Sequence, residues 1–364
     1  MMKKAALHIS PLVALLLLLS SCKDEGMSLE DIAYSPVPYE VVVPDTYPQL
    51  EVPADNPMTQ QGVDLGRRLF YDPILSVDST MSCASCHMQE NGFTDNLAFS
   101  EGVQGLPGTR SSMSLLDVAF VMNGLFWDGR VQSLEDQALL PVEDPLELHH
   151  SWPDLEEKLS EHSSYPTLFR QAFGISNTSE IDRFLTAKAI AQFERSLVTS
   201  GQSKYDRILA GRDAPESDEA LGKLIFFDEV PDLPDGQCFH CHAAPTFSDN
   251  EYHNNGIDEA AEFSDFRDLG LGGVTGVESQ NGKFRTPTLR NIEHTAPYMH
   301  DGRFSTLEEV MDHYVSGGHF PSKDKSKFLD SISLDAEQKA AVIAFLKTLS
   351  DPDFLTDQRY SDPN

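Results

Sequence analysis

Two short stretches decide the fold of this chain, Cys83-Ala84-Ser85-Cys86-His87 and Cys238-Phe239-His240-Cys241-His242. Both read C-x-x-C-H, the attachment motif of a c-type haem. Side chains three and four positions apart share one face of a helical turn, so two cysteines reach the porphyrin edge while the next histidine reaches the iron. A single C-x-x-C would also suit a zinc site or a redox dithiol. Two copies, each followed by histidine, predict two covalent haems.

The haem motifs use four of the five cysteines. The remaining one, Cys22, ends a stretch with the features of a bacterial secretory signal. Two early lysines supply its charged start, and residues 12–19 form an apolar core too short to cross a bilayer. Because Leu19-Ser20-Ser21-Cys22 resembles a lipoprotein cleavage site, we predict that residues 1–21 are removed and that Cys22 carries lipid. A plain signal peptide with an incidental cysteine is the alternative. The predicted location is extracytoplasmic, with a lipid anchor at the periplasmic face of a membrane; the outer membrane or the cell surface are further options.

The charge balance limits the partners. The chain has 58 acidic and 27 basic residues, a formal net charge of -31. Such a charge excludes nucleic acid and anionic lipid surfaces as partners and favours a protein with a basic face, although solubility alone is the other explanation. A homodimer stays open. Residues 22–57, rich in proline and acidic residues, are predicted to form a tether that lies along the body.

An internal repeat precedes the two haem motifs. Residues 65–72 read Leu-Gly-Arg-Arg-Leu-Phe-Tyr-Asp and residues 221–228 read Leu-Gly-Lys-Leu-Ile-Phe-Phe-Asp. From the glycine to the first cysteine the step is 83 − 66 = 17 residues in one copy and 238 − 222 = 16 in the other. Apolar residues at helical spacing, then a loop and a haem motif, are typical of the start of a cytochrome c-like domain.

The repeat therefore predicts two haem domains, packed against each other. We place them at residues 58–213 and 214–350, with a polar linker from Gly211 to Ser217 and an acidic tail over residues 351–364.

Helical patterns dominate elsewhere, and the predicted fold class is all-α. Residues 181–198 carry an apolar stripe, and residues 335–349 form another helix. The stretch Ser305-Thr306-Leu307-Glu308 has the form of a capping box that opens a helix through about Val315. No alternating stretch is long enough to predict a sheet. The stripe consists of Phe184, Leu185, Ala189, Phe193 and Leu197, with Asp182, Arg183, Lys188 and Glu194 on other faces.

The sixth coordination position decides whether a haem carries electrons or reacts. Between His87 and His149 the sequence contains no histidine. The first haem is therefore predicted to be open to a small ligand, and hydrogen peroxide is the ligand that an open ferric haem would bind.

Several separated motifs resemble the bacterial di-haem cytochrome c peroxidase and MauG family. They are Phe-Trp-Asp-Gly-Arg at 126–130, Leu-Glu-Asp-Gln-Ala at 134–138, Pro141, Glu147, Phe-Arg-Thr-Pro-Thr-Leu-Arg-Asn at 284–291 and Thr-Ala-Pro-Tyr-Met-His-Asp-Gly at 295–302. With both haem motifs in order, the match spans roughly residues 55 to 350.

The resemblance implies that the N-terminal domain holds a peroxidatic haem and the C-terminal domain an electron-transfer haem. Gln137 and Glu147 would lie over the open face of the first haem, and Pro141 would shape the pocket. Glu147 would take a proton from one peroxide oxygen and return it to the leaving oxygen, which is general acid–base work. By sequence alone Glu147 belongs to an acidic run that would simply be solvated.

Further roles follow from the same resemblance. Trp127 falls where the family places a tryptophan between the two haems to relay oxidising equivalents; by itself it would be an ordinary core aromatic beside Phe126. Thr295 and Pro297 match positions whose carbonyls help to bind a calcium ion between the domains. The sequence has Ser112 where the family usually supplies an asparagine ligand, which weakens the calcium assignment.

The sixth ligand of the second haem separates the subfamilies. Seventeen residues after Pro297 the chain offers Tyr314, which resembles MauG, whereas classical peroxidases use a methionine in this helix. Met299 and His313 are the alternatives. A thioether raises the haem potential and suits electron uptake, whereas a phenolate lowers it. Tyr314 therefore favours oxidation of a second substrate.

Three hypotheses remain. The first is a peroxidase that reduces hydrogen peroxide at the haem of His87, with electrons from a small redox protein such as a cytochrome c. The second is a MauG-like oxidase that oxidises a partner protein through the di-haem unit. The third is a non-enzymatic di-haem electron carrier with both irons six-coordinate.

Overall fold

The computed structural model describes residues 28–363, and this part of the chain is rich in helix, with little sheet. The α-helices, numbered in chain order, are α1 (Gln60–Tyr71), α2 (Leu134–Glu143), α3 (Trp152–Glu161), α4 (Tyr165–Phe173), α5 (Arg183–Arg195), α6 (Lys204–Leu209), α7 (Ser217–Phe227), α8 (Leu271–Thr275), α9 (Leu307–Val315) and α10 (Ala336–Lys347). The strands β1 (Tyr252–His253) and β2 (Phe284–Arg285) pair antiparallel. Two-residue strands are too short to give an alternating pattern, so the sequence did not predict this small sheet.

The two copies of the sequence repeat form the same helix crossing. The octads lie in α1 and α7, which confirms their predicted helical state, and α1 packs across α5 as α7 packs across α10. A Cβ atom added to Gly66 would lie 1.8 Å from the carbonyl oxygen of Ala189, and one added to Gly222 would lie 1.9 Å from that of Ala341. The glycine of each octad is therefore required because two helix backbones touch there.

The crossing also aligns the two later helices residue by residue. The nearest side-chain atom to the added Cβ is the Cβ of Phe193 in α5, at 3.1 Å, or of Phe345 in α10, at 2.9 Å. Both phenylalanines are buried. One position further along, Glu194 in the first half is equivalent to Leu346 in the second.

Two predicted details of helix faces were wrong. Phe184, assigned to the apolar stripe of α5, is 53% exposed, whereas Glu194, assigned to a polar face, is only 4% exposed. The last turn of α5 is buried on all sides because α1 and α2 both pack on it. In α9 the capping box is shifted by one residue, because Thr306 is the N-cap and Glu309 completes the box.

Each half has its own apolar core. The first core joins α1, α2, α3, α4 and α5, and the second joins α7, α9 and α10. Residues 210–216 separate α6 from α7 and are exposed, in the region predicted as a linker.

Both ends of the described chain pack on the N-terminal half. Before α1, the Tyr47 hydroxyl donates a hydrogen bond to the Asp117 carboxylate at 2.7 Å. After α10, in the region predicted as a tail, the buried Phe354 and Tyr360 join a core that includes Phe93 and Phe193. This C-terminal segment therefore covers the side of the N-terminal half near the first haem motif.

Candidate active site

The two C-x-x-C-H motifs have the same local geometry. Each forms a 3-10 turn, and the amide of the histidine donates to the carbonyl of the first cysteine, at 3.0 Å for His87 and 2.9 Å for His242. The histidine Nδ1 lies 2.9 Å from the Phe93 carbonyl oxygen in the first motif and 2.9 Å from that of Phe247 in the second. Because a carbonyl only accepts, Nδ1 carries the proton and Nε2 keeps its lone pair for a metal.

The four cysteines of these motifs are free and half-buried. Burial is the main cause that raises the pKa of Cys86 to about 11 and of Cys238 to about 12. These two thiols are therefore neutral at physiological pH, and a thiolate metal site or a reactive dithiol would need the opposite shift. Neutral thiols beside a fixed histidine suit thioether attachment of a haem.

A large cavity opens beside the second motif. Cys238, Cys241 and His242 line it, together with Arg285 and Leu346. Arg285 is 6% exposed, and within residues 28–363 its guanidinium has no carboxylate partner. Burial lowers its pKa to about 10, so it remains charged at neutral pH. A buried cation in an apolar cavity needs an anion, and the propionates of a haem supply one, so the residues of this cavity fit a c-type haem.

Two of the three candidate ligands for the second iron line this cavity, Tyr314 and Met299, whereas His313 does not. The His313 Nε2 instead donates to the Asn255 carbonyl at 3.0 Å. The Asn255 side chain donates to the Met299 sulfur at 3.3 Å. Burial raises the pKa of Tyr314 to about 12, and a hydrogen bond from Asn255 opposes that rise. Asn255, which sequence reasoning missed, thus contacts all three candidates.

Near the first motif, the candidate catalytic residues come from α2 and the turn that follows it. Gln137 and Pro141 lie one turn apart on α2, so they share a face. Glu147 is half-buried, and its backbone is held by bonds to Asp144 at 3.0 Å and Val103 at 2.8 Å. Neither the Gln137 amide nor the Glu147 carboxyl has a side-chain partner in the described part of the chain, so both remain free to bind a small molecule.

The Glu147 carboxyl lies close enough to the first motif for its charge to raise the pKa of both Cys83 and Cys86. Burial, and then the nearby charge of Asp144, raise the pKa of Glu147 itself from 4.5 to about 7, while Arg130 lowers it. A carboxyl with this pKa exchanges its proton readily at neutral pH, as a general acid–base group must.

Trp127 lies where the two halves meet. Its indole Nε1 donates to the Ser111 carbonyl at 2.9 Å, its own carbonyl accepts from the Arg285 amide at 2.9 Å, and its side chain lines the cavity of the second motif. The three predicted calcium residues, Ser112, Thr295 and Pro297, line the same cavity.

The environment of Ser112 contains a carboxylate that the sequence did not indicate. The Ser112 hydroxyl donates to the buried Asp95 carboxylate at 3.1 Å and accepts from the Asp95 amide at 3.2 Å. Across residues 28–363, one group of three potential metal-binding side chains is found, formed by Cys241, Asp249 and His253. It does not include the calcium candidates, and its cysteine belongs to the second haem motif.

The predicted lipidation site, Cys22, lies outside the described residues. Within them, every helix is too short or too polar to cross a membrane.

The comparisons with known proteins agree on one family. A family model described as di-haem cytochrome c peroxidase matches residues 60–214 and 216–354. Cytochrome-c peroxidase IdrP1 of Pseudomonas sp. (strain SCT) is 33% identical over 330 residues, which cover 83% of this chain and 84% of that protein. Methylamine utilization protein MauG of Methylorubrum extorquens is 35% identical over 300 residues, which cover 82% of this chain and 80% of that protein.

Among solved structures, a MauG-like protein associated with microbial copper homeostasis matches with a TM-score of 0.82 and 34% identity, over 89% of this chain and 99% of that chain. The diheme peroxidase BthA of Burkholderia thailandensis shares the fold, with a TM-score of 0.68 and 21% identity over 90% of this chain and 96% of that chain. The family implies two haems, in agreement with the two motifs. The chain therefore belongs to the di-haem cytochrome c peroxidase family of oxidoreductases, in which peroxidases and MauG proteins are similarly related to it.

Proposed function

We propose that this protein reduces hydrogen peroxide at the haem of His87, using electrons that pass through the haem of His242 from a small redox protein. The proposal depends on one observation above all, the Glu147 carboxyl. It is half-buried beside the first haem motif, has no side-chain partner in the described residues, and has a pKa of about 7. By sequence alone, the acidic run in which it lies would simply be solvated.

The iron of a bound haem supplies the site for peroxide and the electrons for O–O cleavage. Glu147 accepts the proton of one peroxide oxygen and donates a proton to the other, which leaves as water. The Gln137 amide, carried by α2, orients peroxide by hydrogen bonds. Pro141, whose side chain is a hydrocarbon ring, presents an apolar surface that limits the entry of water.

The domain assignment belongs to this proposal. Residues 58–213 would form the peroxidatic cytochrome c-like domain and residues 214–350 the electron-transfer domain. The repeated glycine crossing and the separate apolar cores support this division. Trp127, which lies where the halves meet and is bonded to both, is the proposed relay between the haems.

A second candidate function is oxidation of a partner protein. Tyr314 favours it, because it lines the cavity of the second haem and a phenolate ligand would lower the potential of that haem. A non-enzymatic carrier would need a sixth ligand at the first iron. The sequence offers no histidine between His87 and His149, and the His149 side chain is exposed to solvent.

Two further proposals concern the cellular location of the protein and a bound calcium ion. We infer an extracytoplasmic lipoprotein anchored through Cys22, on the strength of the signal sequence and the haem attachment motifs. A calcium ion at Ser112, Thr295 and Pro297 is supported by their position on one cavity wall and by the nearby Asp95 carboxylate.

The test of the function is Glu147→Gln. The variant should keep two haems per chain and both haem spectra, yet react with peroxide about 10²–10⁴-fold more slowly, because an amide cannot move the proton. Glu143→Gln is the matched control, since Glu143 belongs to the same acidic run but is exposed. A loss below about tenfold for Glu147→Gln would contradict the proposal. Peroxide turnover with reduced cytochrome c separates the two candidate functions. A peroxidase would oxidise the reduced cytochrome c rapidly, whereas a partner-protein oxidase would oxidise little of it.

A further inference from the structure

Glu194 is a buried carboxyl that the reaction scheme above does not use. Its side chain lies in the last turn of α5 and is 4% exposed, and its Oε2 is buried without a hydrogen-bond partner in the described residues. In the second half the equivalent residue is Leu346, which is also buried and lines the haem cavity. The same position of a repeated fold therefore holds leucine in one haem domain and a carboxyl in the other.

The surroundings of Glu194 place it at the N-terminal haem pocket. Ala191, one turn earlier on α5, packs with Leu134 of α2, and Ile190 packs in one core with Ala138 of the same helix. Residues three and four positions apart share a helix face, so Glu194 faces α2, the helix that carries Gln137. The charge of Glu194 also raises the pKa of Cys83, as does that of Glu147. Two carboxyls thus lie near one haem-attachment sulfur.

The titratable groups around Glu194 leave it without a counter-ion of its own. They are Arg195 on the same helix, Glu135 on α2 and the neutral Cys83 thiol of the first motif. Arg195 is already paired with Glu135 at 2.8 Å. Burial is the main cause that raises the pKa of Glu194 to about 8, and Arg195 opposes it. Glu194 therefore holds a proton at neutral pH.

The proton balance of the proposed reaction calls for such a group. Hydrogen peroxide, two electrons and two protons give two molecules of water. Glu147 only moves a proton that peroxide already carries from one oxygen to the other. A one-electron donor then reduces the site twice, and two additional protons complete the second water. Both of these protons have to enter the pocket from elsewhere.

We propose that Glu194 delivers these protons: it gives its proton to the N-terminal pocket through water and is reprotonated from solvent before the next transfer. This inference rests on the proposed function. It assigns the two carboxyls different tasks, because Glu147 acts on peroxide itself and Glu194 supplies the protons that the reduction consumes.

The test compares Glu194→Gln, which has the same shape without the proton, with Glu194→Leu, which copies Leu346 of the second half. Glu161→Gln is the control, an exposed carboxyl at the end of α3. Both Glu194 variants should bind two haems and keep the first reaction with peroxide, because that step consumes no external proton. Their steady-state turnover with excess reduced cytochrome c should fall at least about tenfold and lose its dependence on pH near 8.

Infrared difference spectroscopy gives a readout that does not depend on turnover. The wild type should show the carbonyl stretch of a buried protonated carboxyl at pH 7, titrating away near pH 8, and both Glu194 variants should lack it. Wild-type turnover by both variants, or absence of this band from the wild type, would overturn the inference. If the proposed function itself fails, the wild type does not turn over peroxide; if only the inference fails, the wild type turns over and the Glu194 variants match it.

Discussion

The pKa of Glu147 makes a quantitative prediction about the reaction with peroxide. A carboxyl with the ordinary pKa of 4.5 is mostly ionised at pH 5, whereas one with a pKa of about 7 is only about 1% ionised there. Since the ionised form is the base, the second-order rate constant should fall about tenfold for each pH unit below 7. At pH 5 it should be roughly a hundredfold below its plateau.

The fall of the rate constant below pH 7 is the acid limb of the pH profile. Two substitutions should move the midpoint of this acid limb in opposite directions. Asp144→Asn removes the charge that raises the pKa of Glu147, so the midpoint should shift to lower pH. Asparagine can still accept the bond that the Asp144 Oδ1 receives from the Leu146 amide at 2.8 Å, which keeps the turn intact. Arg130→Gln removes the charge that lowers the pKa of Glu147, so the midpoint should shift to higher pH.

The assay is stopped-flow mixing of the di-haem protein with peroxide between pH 4 and 9, at constant ionic strength because the charges are partly exposed to solvent. A midpoint near 4.5 would mean that Glu147 is solvated, and the reasoning would be refuted. The same conclusion would follow if Asp144→Asn and Arg130→Gln shifted the limb in one direction, or if Glu147→Gln kept the limb unchanged.

Two further predictions concern the second haem and the helix crossing. The oxidised protein should give one high-spin and one low-spin ferric signal in electron paramagnetic resonance, and Tyr314→Phe should change only the low-spin one; two low-spin signals at rest would contradict an open first haem. Gly66→Ala should lower the free energy of unfolding in urea by about 1–3 kcal/mol or more, because its Cβ would lie 1.8 Å from the Ala189 oxygen. Gly273→Ala is the control, since its Cβ meets only a Leu269 side-chain atom at 3.4 Å, and an equal loss there would exclude the steric explanation.

The sequence predicted those features that side-chain identity determines. The haem motifs, the repeated octads and the helices α9 and α10 carry recognisable spacing, and the structure has each of them, with the capping box of α9 moved by one residue. The carbonyls of Phe93 and Phe247, which hold the two histidines, were missed because a backbone contact leaves no signature in residue type.

The burial of ionisable side chains was the second kind of feature that the sequence did not reveal. Arg285 and Glu194 lie in segments whose polar residues normally face solvent, and helical periodicity assigned Glu194 to an outer face. Only the position of neighbouring helices decides which polar residue is buried. The repeat did not reveal the pairing with Leu346 either, because the octad glycines are 222 − 66 = 156 residues apart whereas Glu194 and Leu346 are 346 − 194 = 152 apart. The helix crossing in the structure aligns them.

The pair Glu194 and Leu346 is a chemical difference between two halves that otherwise share the same local structure. The helix crossing at Gly66 or Gly222 and the histidine bonded to a phenylalanine carbonyl are the same in both halves, so the scaffold that positions each haem is shared. Reduction of peroxide consumes protons, whereas electron transfer between haems consumes none. Under the proposed function, a carboxyl at the Glu194 position therefore helps only the half in which peroxide would be reduced. In the other half a buried carboxyl would lower the stability of the fold, because its polar group would lose its hydration, and it would have no proton to deliver. Leucine packs there instead.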